Sequence, residues 1–171
     1  MIIYKDITSG DEMISDSFQL QDVDDVLFKV KTKHVTKGGL DLGIAVNQGE
    51  DDGDAADGVD DQVEKVIDVV DAFRLQSIGG FDKKGALAWA KAYLKTIKER
   101  LDKENPERTQ QFQEKSQKWI KEVLLKDIDS FEFYTGPSFN TEGSLAMFTY
   151  EGEDVSPTMY LFKDGLVEEK C

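Results

Sequence analysis

Two consecutive stretches with helical periodicity constrain this sequence most, because their apolar residues recur every three or four positions. The first stretch carries such residues at Leu87, Ala90, Leu94, Ile97 and Leu101. The second carries them at Phe112, Trp119, Ile120, Val123 and Leu124. Asn105 and Pro106 lie between the stretches, and this pair ends one helix and begins the next. So short a connection predicts an antiparallel helical hairpin over 82–126, with Asp82 as the first N-cap.

The sequence on either side of the hairpin has the alternation and the aromatic residues typical of strands. We predict strands at 1–4, 26–35, 63–75, 131–134, 145–150 and 158–162. The polar segment 6–16 is predicted to be a loop. Strands, then helices, then strands again, without regular alternation, favour an α+β fold over a parallel α/β sheet.

The segment from Gly38 to Gln62 interrupts the strand pattern. It contains six glycines and no aromatic or basic residue, and seven acids follow from Glu50 onward. Such a segment buries too little apolar surface to offset the entropy lost on ordering. We therefore predict a flexible acidic loop at 38–62.

Charge is segregated along the chain. The net charge is −14, yet 82–126 holds twelve Lys and Arg against seven Asp and Glu. Outside that range, nine basic residues face twenty-eight acidic ones. An acidic protein of this kind is not expected to bind nucleic acid through its whole surface. Any acidic partner should meet it at the hairpin.

The composition favours a cytoplasmic protein. No apolar run approaches the roughly 20 residues of a membrane-spanning helix, and the first residues lack the layout of a signal peptide. Cys171 is the only cysteine among the 171 residues, so no internal disulfide is expected. We expect a monomer that can also form a dimer through a disulfide between the Cys171 residues of two molecules.

Catalysis is not expected. The single histidine, His34, is interpreted as an ordinary surface residue, since the sequence suggests no Ser or Cys partner for it. The carboxylates are many, but no spacing among them selects a catalytic pair.

Several motifs resemble the translationally controlled tumour protein family. The opening run Met1-Ile2-Ile3-Tyr4-Lys5-Asp6 is followed by Asp11-Glu12-Met13 and Ser15-Asp16. A second signature comprises Ile128, Phe133-Tyr134-Thr135-Gly136, Glu142-Gly143, Leu145-Ala146 and Tyr150. The third is Lys163-Asp164-Gly165-Leu166 with Glu169-Lys170-Cys171. The resemblance runs the length of the chain. Two departures are Pro137, where the family has Glu, and an Asn-x-Ser-x-Glu run reduced to Asn47 and Glu50.

The resemblance implies a twisted, mainly antiparallel β-tent body with an inserted antiparallel α-helical hairpin and a flexible acidic loop, in one domain over 1–171. It also implies a non-enzymatic regulatory protein that binds calcium and microtubules, supports small GTPases and cell growth or survival, and makes anti-apoptotic contacts. The alternative is a calcium-buffering or chaperone-like stress protein that works through its acidic loop. No tightly bound cofactor is expected.

The acidic loop supplies the calcium candidates, because calcium prefers oxygen ligands. They are Glu50, Asp51, Asp52, Asp54, Asp57, Asp60 and Asp61. An EF-hand alignment with Gly58 at the glycine position fails, since Ala55 and Gly53 occupy ligand positions. A solvated loop and weak calcium binding both remain open.

Two further sites follow from the resemblance alone. Glu12 matches the family's glutamate for contact with a small GTPase, the alternative being a loop acid that pairs with Lys5. The segment Leu20–Asp25 matches the region compared with the helical motif of pro-apoptotic proteins that bind Bcl-family partners. Asp24 replaces a small residue there, and its charge should clash with a buried groove.

The hairpin supplies the tubulin candidates. Lysines recur at helical spacing beside its apolar residues, at Lys84, Lys91, Lys95, Lys98, Lys115, Lys118 and Lys121. Tubulin tails are acidic, so this face is the hypothesised contact with microtubules. The alternative is a solvated helix face that keeps the protein soluble.

Overall fold

Antiparallel strands dominate the computed structural model, which describes residues 1–36, 65–153 and 155–170. The strands are β1 (Ile2–Asp6), β2 (Glu12–Ser15), β3 (Leu20–Val23), β4 (Leu27–Lys31), β5 (His34–Thr36), β6 (Lys65–Ile67), β7 (Gln76–Gly79), β8 (Glu132–Thr135), β9 (Ala146–Thr149), β10 (Thr158–Phe162) and β11 (Leu166–Lys170). The α-helices are α1 (Asp68–Phe73), α2 (Lys83–Glu104) and α3 (Pro106–Trp119), and a π-helical turn, Ile120–Leu124, continues α3. The predicted loop 38–62 and Cys171 lie outside the described residues.

Three sheets form the body within the described residues, and every strand pair in them is antiparallel. The large sheet has the order β3-β4-β10-β9-β8-β7, and two smaller sheets have the orders β11-β1-β2 and β5-β6. With the helical hairpin inserted between β7 and β8, this is the predicted α+β fold.

The large sheet is covered on both faces, as strand β10 shows. Tyr160 and Phe162 pack in a cluster with the hairpin residues. Met159 and Leu161, which alternate with them, pack in a second cluster with Ile14 of the small sheet. All five side chains of β10 are buried. Because alternate side chains point to opposite faces, a strand buried on both faces must be apolar throughout, and β10 is nearly so.

The hairpin lies against one face of the large sheet. Asp82 caps α2 as predicted, because its carboxylate accepts a hydrogen bond from the Gly85 N–H at 2.6 Å. Pro106 is at the first turn of α3, whereas the Asn105 side chain makes no capping bond. Trp89 is buried on the inner face of α2.

The apolar stripe predicted for α2 is partly wrong. Leu87 is 37% exposed, while Trp89 and Tyr93, which were not assigned to the stripe, are buried. The helix is rotated so that its aromatic residues meet Phe133 and Phe162 of the sheet. Large rings bury more area than Leu87 would, so they decide which face turns inward.

The predicted pattern of strands and loops needs four corrections. The predicted loop 6–16 contains β2, where Met13 and Ile14 are fully buried. The predicted strand 26–35 is divided between β4 and β5, which belong to different sheets. The predicted strand 63–75 holds β6 and then α1. Helix α1 begins at Asp68, whose carboxylate accepts hydrogen bonds from the N–H groups of Val69 and Lys33, while the N-cap residue Ile67 supplies no side-chain bond. Finally, β3, β7 and β11 lie outside every predicted strand.

Candidate binding surfaces

The outer face of the hairpin carries a groove between its two helices, with a volume of about 690 Å³. Apolar side chains line it, at Leu87, Ala90, Leu94, Ile120 and Leu125. Lysines border it, at Lys91, Lys95, Lys98 and Lys121. Three of these lysines recur at i, i+4 and i+7 on α2, and this spacing places them on one side of a helix. The structure therefore brings four of the seven predicted tubulin-contact lysines to one groove.

The other three lysines, Lys84, Lys115 and Lys118, do not line the groove. Lys115 is half-buried, and the other two are exposed. Among the described residues, none of the seven lysines forms an ion pair. Their positive charges are thus not neutralised by neighbouring carboxylates of the described body, and the groove lysines can meet an acidic partner.

Arg108, in the first turn of α3, faces the body instead. Its guanidinium binds both carboxylate oxygens of Asp164, at 2.7 and 2.8 Å, and one of Asp25 at 2.7 Å. It also donates to the backbone oxygen of Asp25. Planar, two-point pairing of this kind suits arginine and not lysine. Arg108 thereby ties the hairpin to the turn between β3 and β4 and to the turn after β10.

The charges around Arg108 reinforce one another. Hydrogen bonds from Arg108, and then from Lys163, hold the pKa of Asp25 below its usual value. The bond to Asp164 raises the pKa of Arg108, against the opposing effect of burial. Asp24 and Asp25 both have positive φ, 52° and 64°, which is uncommon for residues other than glycine. The bonds from Arg108 to Asp25 stabilise a turn of unfavourable geometry.

A second contact joins the hairpin to the same turn after β10. The Tyr93 hydroxyl donates to the carbonyl of Gly165 at 3.3 Å. A Cβ added at Gly165 would lie 1.7 Å from that hydroxyl, so only glycine fits there. Burial strongly raises the pKa of Tyr93, which stays neutral. The family-like Asp164-Gly165 motif is therefore a docking point for the hairpin.

Glu12 lies far from the hairpin in sequence and begins β2, with its side chain exposed. Lys5 is its register partner in β1, and the Lys5 side chain forms an ion pair with Glu169. Part of the segment predicted as a loop is thus an edge strand, β2, which holds Glu12 in a defined position. This placement leaves the predicted GTPase contact untested.

Beside Glu12, the loop 136–139 folds over Asp11. The Asp11 carboxylate accepts hydrogen bonds from the Ser138 N–H at 3.1 Å and from its hydroxyl at 2.6 Å. The Phe139 N–H donates to the Gly136 carbonyl at 3.0 Å, so 136–139 is a turn with Pro137 at its second position. Proline is favoured at that position, and Pro137 fits this turn without strain. Phe139 is 55% exposed and was not singled out from the sequence.

Some of the remaining predicted sites lie outside the described residues, and the others lie within them. The calcium candidates Glu50 to Asp61 lie outside the described residues. Within the described ranges, no group of three or more His, Cys, Asp or Glu side chains could hold a metal ion. The segment Leu20–Asp25 forms β3 and a turn, with no helix. His34 has a partner that the sequence did not suggest, since its Nδ1 lies 3.0 Å from the Ser156 hydroxyl.

Comparison with known proteins identifies the family. The family model described as "Translationally controlled tumour protein" matches residues 1–167. The chain belongs to the translationally controlled tumour protein family. It is 43% identical to the family homologue of Schistosoma japonicum and 38% identical to that of Saccharomyces cerevisiae, with 99% of each chain covered.

Solved structures of the family have the same fold. The Schizosaccharomyces pombe protein matches with a TM-score of 0.76 and 34% identity, covering all of both chains. The Caenorhabditis elegans protein matches with a TM-score of 0.70 and 31% identity, covering 100% of this chain and 99% of that one. The resemblance inferred from the three sequence motifs is therefore confirmed. No helix among the described residues of this family member is long and apolar enough to cross a membrane.

Proposed function

We propose that this chain is a cytoplasmic regulatory binding protein without enzymatic activity, a single domain over 1–171 that engages microtubules through its hairpin lysines. The observation that carries the proposal is the set of four lysines around one groove, none of them in an ion pair with a described residue. Tubulin tails are acidic, and a local positive surface on a protein of net charge −14 can attract them.

Charge reversal of Lys91, Lys95 and Lys98 to Glu tests this function. We expect the triple variant to lose microtubule co-sedimentation while its melting temperature stays nearly unchanged, because exposed charges contribute little to stability. Binding by the unaltered protein should weaken as salt is raised through the physiological range, where the Debye length is about 8 Å.

A matched control reverses the three lysines that do not line the groove, Lys84, Lys115 and Lys118. The change in net charge is the same, so a clear difference between the two triple variants supports the groove as the contact. Equal loss in both would mean that overall charge governs binding. Normal co-sedimentation of the first variant would refute the proposal and leave the hairpin lysines as a solvated face.

We further propose contact with a small GTPase at Glu12, supported by the exposed position of this side chain at the start of β2. Replacing Glu12 with Lys should weaken binding of the GTPase in a pull-down and leave microtubule binding intact. Unchanged GTPase binding by this variant would place the GTPase contact elsewhere. This contact would underlie the support of growth and survival implied by the family.

Calcium binding and calcium buffering are proposed for the acidic loop, on the support of its seven closely spaced acids. Affinity should be weak, at roughly 10⁻⁴ M or above, because the ligand spacing does not match an EF-hand. Deletion of 50–61 should abolish calcium binding if the loop is the site. Retained microtubule binding in this deletion would separate the regulatory function from the alternative of a stress protein working through its loop.

Two further interactions complete the proposal. Contact with a Bcl-family partner through Leu20–Asp25 in helical form would require β3 to leave the large sheet, where it pairs with β4. A covalent dimer through Cys171 should disappear with reductant, leaving the proposed monomer.

A further inference from the structure

The hairpin groove has walls that restrict the backbone of any occupant. Both walls are helices, whose N–H and C=O groups are bonded within each helix. A strand laid in the groove would find no backbone partners there, unlike a strand added to a sheet edge. An occupant shielded from water must therefore satisfy its own backbone, as a helix does. Packing a third helix between two others is also favourable geometrically, since side-chain ridges fit into grooves.

The π-helical turn at the end of α3 shapes the groove. Its closing hydrogen bond runs from the Leu125 N–H to the Ile120 carbonyl at 2.8 Å, five residues apart. Ile120, Lys121 and Leu125 from this turn all line the groove, with Ile120 buried and Leu125 partly exposed. Turns of this kind occur frequently at functional sites. Leu87, 37% exposed at the other wall, provides apolar surface that is not covered within the described protein.

The groove combines this apolar lining with a border of four lysines. We propose that it binds an acidic amphipathic helix of a partner protein, with the apolar residues of that helix on the lining and its carboxylates toward Lys91, Lys95, Lys98 and Lys121. The inference rests on the proposed function insofar as the hairpin face is the binding surface. It goes further because shape and apolar contact, and not charge alone, select the ligand.

The length of the bound helix follows from the groove. Leu87 and Lys98 are eleven residues apart on α2, which corresponds to about 17 Å at the rise of an α-helix. About three turns of a partner helix fit along that distance. Apolar residues at i, i+4, i+7 and i+11 of the partner would lie along the lining, and glutamates on its flanks would face the lysines.

Two synthetic peptides of one composition test the inference. The first is a 14-residue helix of leucines at those four positions with glutamates and alanines elsewhere, and the second is its scramble without an apolar face. Binding to the full chain is measured by fluorescence anisotropy. We expect the amphipathic peptide to bind at least about tenfold more tightly than the scramble, as expected for a few buried anchors.

Protein variants then locate the site. Leu87→Gln should weaken binding of the amphipathic peptide about tenfold, because it removes an apolar contact without changing the charge. Ala88→Gln is the matched control, exposed on the same helix but outside the groove, and should bind normally. Because Leu87 is partly exposed, Leu87→Gln should leave the fold intact, and circular dichroism of both variants checks this.

The outcomes separate this inference from the proposed function. Equal binding of the two peptides, no binding of the amphipathic one, or equal effects of Leu87→Gln and Ala88→Gln would each overturn the inference. Lysine-dependent microtubule co-sedimentation could still hold in those cases, and the proposed function would stand. Conversely, the protein could bind the amphipathic peptide selectively while charge reversal of the lysines leaves microtubule co-sedimentation unchanged. That result would support the inference and refute the microtubule role.

Discussion

The two faces of the hairpin use cations in opposite ways. Toward the body, Arg108 is held by two carboxylates, and Arg100 donates to the backbone oxygens of Asp164 and Leu166 at 2.8 and 3.2 Å. On the outer face, the groove lysines are exposed and form no ion pair with the described residues. Positive charge on one hairpin therefore serves attachment on one side and remains accessible on the other.

This difference indicates that a cation's role depends on the acceptors around it within the fold. A cation with several acceptors stabilises the structure, and one without them is available for recognition. A fixed guanidinium with several acceptors contributes to stability through its geometry. An unpaired, hydrated ammonium contributes little to folding and retains its charge for a partner. Three experiments, ordered by the size of the expected effect, challenge or refine this distinction.

Replacing Arg108 with Ala should produce the largest loss of stability. The substitution leaves Asp164, whose side chain is 10% exposed, without its main counter-charge. We expect the free energy of unfolding to fall by about 2 to 3 kcal/mol, somewhat less than for a fully buried pair, because both side chains keep some exposure to solvent. Chemical denaturation measures this. Arg108→Lys keeps the charge but loses the two-point geometry, so its stability should lie between that of the original protein and that of Arg108→Ala. A loss below about 0.5 kcal/mol for Arg108→Ala would contradict the distinction between paired and unpaired cations.

Lysines that have partners should behave like Arg108. Lys29 and Lys31 lie 3.1 and 3.0 Å from the Glu151 carboxylate, and the Tyr160 hydroxyl donates to it at 2.7 Å. Burial pushes the pKa of Glu151 upward, but these hydrogen bonds outweigh it and lower the pKa to about 2. The lowered pKa stabilises the fold at pH values above 4.5, the pKa of Glu151 in the unfolded chain. This stability is lost as the pH falls toward 2.

Glu151→Gln tests that contribution. Because Glu151 is 32% exposed, solvent screening reduces the expected effect to about 1 to 2 kcal/mol at pH 7. The difference in unfolding free energy between the variant and the original protein should shrink as the pH falls from about 4.5 to 2. A difference that stays constant over this range would show that the ionised carboxylate does not stabilise the fold.

The groove lysines should have the smallest effect. Replacing Lys91, Lys95 and Lys98 together with Ala should change the unfolding free energy by less than about 0.5 kcal/mol per residue. A slight stabilisation is expected, because like charges four residues apart on a helix repel each other. Thermal unfolding at low and high salt measures both effects. A loss comparable to that of Arg108→Ala would mean that these lysines have structural partners after all.

The parts of the fold that were predictable are those with long periodic patterns. The hairpin was evident because its apolar spacing persists over many turns and Asp82 and Pro106 mark the helix starts. Strands β3 and β11 were missed because each buries at most one side chain, so their sequences show no apolar alternation. Residues Asp68–Phe73 alternate like a strand, yet they form the six-residue helix α1, whose N-cap Ile67 supplies no side-chain bond.

The candidate surfaces were predictable only in their charges. Helical spacing alone placed Lys91, Lys95 and Lys98 on one side of α2. The groove depends on the π-helical turn and on the rotation of α2, which follows from the packing of Trp89 and Tyr93 against the sheet. The role of Arg108 requires Asp25 and Asp164, which are 83 and 56 residues away, to meet at one point. No local pattern contains such information.

The pairing of β1 with β11 has a consequence for how the protein is made. Residues 2–6 find their partners in residues 166–170, so the ribosome must synthesise more than 160 residues after β1 before this ladder closes, as their register shows. At roughly 5 to 20 residues per second, the edge of β1 waits about 10 to 30 s during translation. An unpaired strand edge can recruit other chains. Nascent chains stalled before residue 166 should therefore be the form of this protein most dependent on chaperones.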